Sequence, residues 1–158
     1  LVQGQGAPRE VHPLKLYLAN KSRTNYAQMV PYRSKECFLF QEEYDNLCNC
    51  LDQVFEWLQK KLECCLPGLV LEIRGFAEEL PGQERSPSYP FSGFVLNLNA
   101  CTKVHRDAKD LHACLVMAFG KYWGGELGLV EPGLLVDLQA GDMVVFQSQK
   151  VSHFNLLY

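Results

Sequence analysis

Along this chain the spacing of apolar positions changes once, close to Pro67–Gly68. In "QEEYDNLCNCLDQVFEWLQKKLECC", Leu47, Leu51, Val54, Leu58 and Leu62 recur at three- and four-residue steps. That spacing makes one buried stripe and predicts a helix over about 41–65. Glu42, Glu43 and Asp45 stand at its start and Lys60 and Lys61 near its end, the charge order the helix dipole favours. Pro67–Gly68 is expected to stop it. Beyond that point the period falls to two. "LVLEIRGFA", "FSGFVLNLN", "LHACLVMAF", "GELGLVE", "LLVDLQ" and "MVVFQS" read as short strands. Pro81–Gly82, Gly124–Gly125, Pro132–Gly133 and Ala140–Gly141–Asp142 separate them. "LKLYL" reads as one earlier strand, after an irregular Gly-, Gln- and Pro-rich start over 1–13. "EELPGQERSPSYP", with three prolines, is a long loop. One helix followed by many short strands predicts an α+β layout whose strands close into a sandwich or barrel.

Composition narrows the class. At 158 residues, 47% hydrophobic and 21% charged, the chain is expected to form a single soluble domain with its own core. No apolar run is long enough for a bilayer and no secretory signal opens the chain, so a nuclear or cytoplasmic protein with no membrane partner is expected. It begins at Leu1 rather than Met, as a trimmed or excised region would. A net charge of −3 gives no global attraction to phosphate backbones. The best local basic patch is "NKSRTNYAQMVPYRSKE", with Lys21, Arg23, Arg33 and Lys35 among Tyr26 and Tyr32, and a solvated loop is the plainer reading. Seven cysteines follow no disulfide framework and are expected to be free thiols. Cys37, Cys48, Cys50, Cys64 and Cys65 lack the usual spacing of a structural zinc site.

Candidate chemistry centres on "VHRDAKD", residues 104–110. His-Arg-Asp opens a kinase catalytic loop, but that chemistry needs an Asn five residues after the Asp, and position 112 is His. The glycine-rich loop and the Asp-Phe-Gly are missing too. Read instead as His-x-Asp, His105 and Asp107 supply two members of a facial triad of two His and one carboxylate, which leaves metal positions open. At a strand end, residues two apart face the same side. His153, just after the strand "GDMVVFQS", is placed to be the third ligand. His12 sits in the irregular start, and His112, on the strand with Cys114 and Val116, reads as structural.

The stretch from Gly93 to Tyr158 resembles the 2-oxoglutarate- and Fe(II)-dependent dioxygenases, most of all the TET/JBP-like branch found in basidiomycete fungi. "HRD" with a following Asp, "GGEL", the "L-x-x-GD-x-x-x-F" pair and "SHFN" carry the likeness. The resemblance implies a double-stranded β-helix (jelly-roll, cupin-like) core over 91–158. Residues 1–90 would be an N-terminal supporting region containing the helix. It implies Fe(II) held by His105, Asp107 and His153, with 2-oxoglutarate decarboxylated as a C–H bond is hydroxylated. Asn97 and Asn99, on one face of a strand, are the candidates for touching the cosubstrate. The family also places an Arg roughly ten residues beyond the distal His to grip the cosubstrate's far carboxylate. The sequence given stops at Tyr158, so a poorly active fragment is expected, or one using Arg74, Lys103, Lys121 or Lys150 instead. Arg106 should face away from the metal, Tyr122 and Trp123 could stack on a flat substrate or pack at a rim, and Phe146 and Phe154 read as core. The implied substrate is the methyl group of a modified base, chiefly 5-methylcytosine in methylated DNA. Hydroxylation of a protein side chain or small molecule, a cupin-like metal binder, and an inactive β-helix binding module are the alternatives.

Overall fold

A computed structural model describes residues 35–79, 86–108 and 110–157. "LKLYL", His12, Lys21 to Arg33 of the basic patch and the centre of the Pro-rich loop lie outside these residues. Where the sequence suggests a single domain turning from support to core near residue 90, the chain divides into two compact units between Leu96 and Asn97. Each is described by itself.

The first unit is helical: α1 (Lys35–Leu39), α2 (Gln41–Cys65) and α3 (Pro67–Glu78). The predicted helix is α2, with the same bounds, and its expected stripe is its less exposed face, closing on buried Leu62. Pro67–Gly68 acts differently from expectation. α2 does end at Cys65, but Leu66 is the whole break, and Pro67 opens α3. Proline suits a first helical turn because its missing N–H would have no intrahelical partner there. "LVLEIRGFA" is therefore helix, not strand. Its Leu-Glu-Ile-Arg run imitates a period of two, yet Val70 and Ile73 are the buried positions, three apart, while Leu71 and Glu72 are exposed. Arg74 on α3 pairs with Glu63 on α2 and lies over the Tyr89 ring at 5.8 Å. Tyr89 donates to Glu78 at 2.9 Å, and Phe94 stacks near Tyr44 and Phe55 at 6.5 and 5.1 Å, so 86–94 is laid onto the helices. Among the described residues no helix is long and apolar enough to cross a membrane.

The second unit carries five short strands: β1 (Cys114–Met117), β2 (Leu127–Leu129), β3 (Leu134–Val136), β4 (Met143–Phe146) and β5 (His153–Asn155). Four lie inside runs predicted as strands. "FSGFVLNLN" does not become one: it alternates correctly, but no described segment pairs with it, and an unpaired strand leaves its backbone groups unsatisfied. His112, expected on a strand, precedes β1 with φ +66.

β1 and β4 form one antiparallel sheet, Cys114 opposite Phe146 and Met117 opposite Met143. β3, β2 and β5 form the other, in that order. β2 and β3 are thus a local pair, whereas β1 with β4 and β2 with β5 are pairings remote in sequence, β5 returning beside β2 after β4 has crossed to the other sheet. Phe146 of the first sheet meets His153 of the second edge-on, ring centroids 5.0 Å apart. Leading into β4, Gly141 (φ +96) takes the left-handed turn position that side chains disfavour, and Asp142 accepts from the Gln139 N–H at 2.9 Å. That is the physical content of "L-x-x-GD".

Gly128, fully buried in β2, lies opposite Phe154, whose ring occupies the space a Cβ would need. Gly128→Ala should destabilise the strand unit by about 1–3 kcal/mol, the usual cost of overpacking, measured by urea unfolding. In the helical unit Leu62→Ala should cost about 2–5 kcal/mol. Leu71→Ala, 71% exposed, should stay within about 0.5 kcal/mol in the same assay.

Candidate metal centre

His105 lies alongside β5 in an antiparallel bridge to His153. The two residues exchange both backbone hydrogen bonds, His105 N–H to the His153 carbonyl at 3.0 Å and the reverse at 2.9 Å. Directly opposed residues of an antiparallel pair project to one face. The imidazoles accordingly meet with centroids 4.3 Å apart. Asp107 follows two residues later, its N–H bound to the Ser148 carbonyl at 3.1 Å, and its carboxylate reaches the same place. Asp107 Oδ2 is 3.4 Å from His153 Nε2, and Oδ1 is 3.8 Å from His105 Nε2.

The protonation pattern follows from the partners. His105 Nδ1 is 2.7 Å from the Lys103 carbonyl, and His153 Nδ1 is 3.0 Å from the Val151 carbonyl. A carbonyl only accepts, so each Nδ1 carries a proton, and the atom each ring turns toward the carboxylate is Nε2. Ligating histidines are held in this way, with the far nitrogen donating to a fixed acceptor. One ligand atom from each of the three residues lies within 4.8 Å of the others. Bonds of ~2.1 Å to a small divalent ion would separate such atoms by roughly 3–3.5 Å, so a modest inward movement completes the set. Among the described residues this is the one His, Cys, Asp or Glu group with metal-holding geometry, and none of the seven cysteines is in a disulfide.

Around the triad, the segments that carry it are stitched together by further hydrogen bonds. Ser148, almost wholly buried, donates to Asp110 Oδ2 at 2.6 Å, and Asp110 N–H returns to the Asp107 carbonyl at 2.9 Å. Burial raises the Asp110 carboxyl, with the Ser148 bond lowering it and the Asp107 charge raising it further. Burial first, then Asp110 and Asp107, pushes the Cys114 thiol up to about 12, which keeps it protonated and no thiolate ligand. Asn155 of "SHFN" accepts from Thr102 N–H and Oγ1, both at 2.7 Å, and donates to the Ala100 carbonyl at 3.0 Å.

No family model matches this chain, and no curated protein and no solved structure matches it. The site stands on its own geometry.

Of the residues singled out in the sequence, His105, Asp107 and His153 come together. Asn97 and Asn99 do not share a strand face; they lie on an irregular, exposed segment where Asn99 has φ +49, so the reason for pairing them falls away. Arg74 sits on α3, not at a strand end, and is paired with Glu63. Lys103, Lys121 and Lys150 are exposed. Tyr122 donates to the Leu138 carbonyl, while Trp123 is 91% exposed. Arg106 does face away from the triad, to Glu131.

That last contact belongs to a group the sequence concealed. Glu131, in the turn between β2 and β3, accepts from Arg106 Nη2, Ser152 Oγ and Ser152 N–H, each at 2.6 Å. Hydrogen bonds from Ser152, then Arg106, hold its carboxyl down at about 2. "VEPG" reads only as a turn, and no local signal could have shown what the Glu touches. Because its folded value lies below the ordinary 4.5, Glu131 stabilises the fold fully above that value and loses its contribution as pH falls toward 2. Between those limits wild type should lose more stability than Glu131→Gln, read as urea midpoints across the pH series.

Proposed function

We propose that residues 97–158 form a mononuclear Fe(II) centre on His105, Asp107 and His153 and act as a 2-oxoglutarate-dependent dioxygenase. The observation that carries the reading is the pair of Nδ1-anchored imidazoles turning their Nε2 atoms onto one carboxylate. Two imidazoles and a carboxylate suit Fe(II) and leave coordination positions open for further ligands. When bound, the metal supplies the redox chemistry that lets 2-oxoglutarate and O2 oxidise a C–H bond, which no protein side chain can do.

The chain's own groups set the conditions. His153 is buried and His105 and Asp107 are partly exposed, so reactants would approach from the His105 side. Lys103 and Val151 carbonyls fix the ring orientations, and Asp107 contributes the negative charge that favours a dication. Two small antiparallel sheets joined by sequence-remote pairings, β1 with β4 and β2 with β5, and the His105 segment added beside β5, support a double-sheet β-helix layout. Resemblance in "HRD", "GGEL" and "SHFN" supports the methyl group of a modified base, 5-methylcytosine in DNA, as the substrate.

Anaerobic Fe(II) titration should show one site per chain, and Asp107→Ala should weaken it by more than about 100-fold, beyond what outer partners contribute. With 2-oxoglutarate, O2 and a methylcytosine oligonucleotide, succinate and hydroxymethylcytosine should appear together by mass spectrometry, in the low yield of a poorly active chain. Metal binding without succinate would reduce the protein to a metal-binding β domain. Succinate without base oxidation would direct the search to protein side chains or small molecules. A chain that binds no metal overturns the proposal.

A further inference from the structure

We infer that Glu131 is a positioning residue for the metal centre, acting through Arg106 and Ser152; the inference rests on the metal site proposed above. These two residues are the chain neighbours of all three ligands. Arg106 lies between His105 and Asp107, and Ser152 immediately precedes His153. The segment carrying the first two ligands and the segment carrying the third are separate stretches of chain. Glu131 binds both at once, receiving Arg106 Nη2 and Ser152 Oγ on Oε1 and Ser152 N–H on Oε2, each at 2.6 Å. Arg106 Nε closes the triangle by donating to Ser152 Oγ at 2.9 Å, so that hydroxyl accepts from one partner and donates to the other.

The carboxylate is itself well supported. Its turn is closed by Gly133 N–H to the Val130 carbonyl at 3.0 Å, and Val130 N–H bonds the Ser152 carbonyl at 2.9 Å. Glu131 therefore reaches out from a turn already docked on β5. Charge-assisted hydrogen bonds at such lengths are directional, and they fix where Arg106 and Ser152 can sit. Side chains alternate along extended backbone, so fixing Arg106 outward fixes His105 and Asp107 inward. The same holds for Ser152 and His153. Removing Glu131 leaves the direct His105–His153 bridge in place, so the ligands remain near one another but lose their common aim. The expected consequence is weaker and differently shaped coordination rather than an unfolded protein.

Co(II) is the probe, because its visible ligand-field bands report coordination geometry directly. Glu131→Ala should raise the Co(II) dissociation constant about tenfold, the lower end of what outer partners contribute, and shift the bands at saturating metal. The metal-free protein should stay folded, its unfolding midpoint lowered by the lost carboxylate contacts, so the bands at saturating metal are the deciding readout. Glu131→Gln keeps one acceptor oxygen, turns the other into an NH2 donor and loses the charge offered to Arg106, so it should fall between wild type and Ala. Arg106→Ala should act in the same direction, and combining it with Glu131→Ala should add little, as for residues of one network. Should Glu131→Ala fail to fold, Glu131→Gln and Arg106→Ala carry the test. Wild-type affinity and bands in these variants would overturn the inference while leaving the metal site intact. So would weakened binding with unchanged bands that tracks lost metal-free stability, the mark of a merely structural turn. Absence of Co(II) binding by wild type would remove the metal site, and this role with it.

Discussion

The backbone bridge between His105 and His153 is the constraint on which the site depends. Two hydrogen bonds, one in each direction, bring residues from opposite ends of the strand unit into direct opposition. Opposition in an antiparallel pair dictates a shared face, so the imidazoles converge without any contact of their own having to hold them. The Nδ1 bonds to the carbonyls of Lys103 and Val151, each two residues before its histidine, then settle how the rings are turned. Position comes from the ladder, and orientation comes from local backbone.

The His105–Asp107 segment and the Ser152–His153 step each work on two sides at once. Inward, His105, Asp107 and His153 gather two imidazole nitrogens and a carboxylate. Outward, Arg106 and Ser152 gather on Glu131. Behind Asp107 a third set, Ser148 with Asp110, links the backbone of the loop to the start of the return toward β5. Each set uses a different element, and each brings the same two stretches of chain together. Charge is distributed accordingly. The outward carboxylate is neutralised by a guanidinium, while the inward one has no cation among the described residues beyond the two histidines. A divalent ion would supply what the inner face lacks.

Packing within the strand unit serves the same end. Phe154 lies over Gly128, so β5 approaches β2 where any side chain would hold it off. Phe146 meets His153 edge-on from the opposite sheet. Asn155 secures the segment before His105 with three hydrogen bonds through one side chain. "SHFN" is thus four neighbours with four tasks: a clamp partner, a candidate ligand, a ring filling the gap above a glycine, and a clip.

Much of this was legible in the chain, and the failures have physical causes. The α2 stripe is a property of local spacing, so its bounds could be read directly, and four of the strand runs contain strands for the same reason. His105, Asp107 and His153 could be named as a candidate group because metal-binding side chains are few in kind, and the two-residue spacing of His105 and Asp107 along extended backbone is restrictive. "LVLEIRGFA" misled because four residues of alternation fit a strand as well as a helix buried at Val70 and Ile73. "FSGFVLNLN" misled because alternation states a preference for an exposed and a buried face but does not provide a pairing partner, and Asn97 and Asn99 lost their common face with it. Glu131 was invisible for the opposite reason. A carboxylate in a turn is ordinary in sequence, and its meaning lies in what arrives beside it. Sequence by itself determined which segments could be helix or strand and which side chains could bind a metal, since both are set by residue type and near-neighbour spacing. Only tertiary structure decided that β5 runs beside His105 and that Glu131 reaches both ligand segments, because those contacts join residues remote along the chain through backbone pairing that no local pattern encodes.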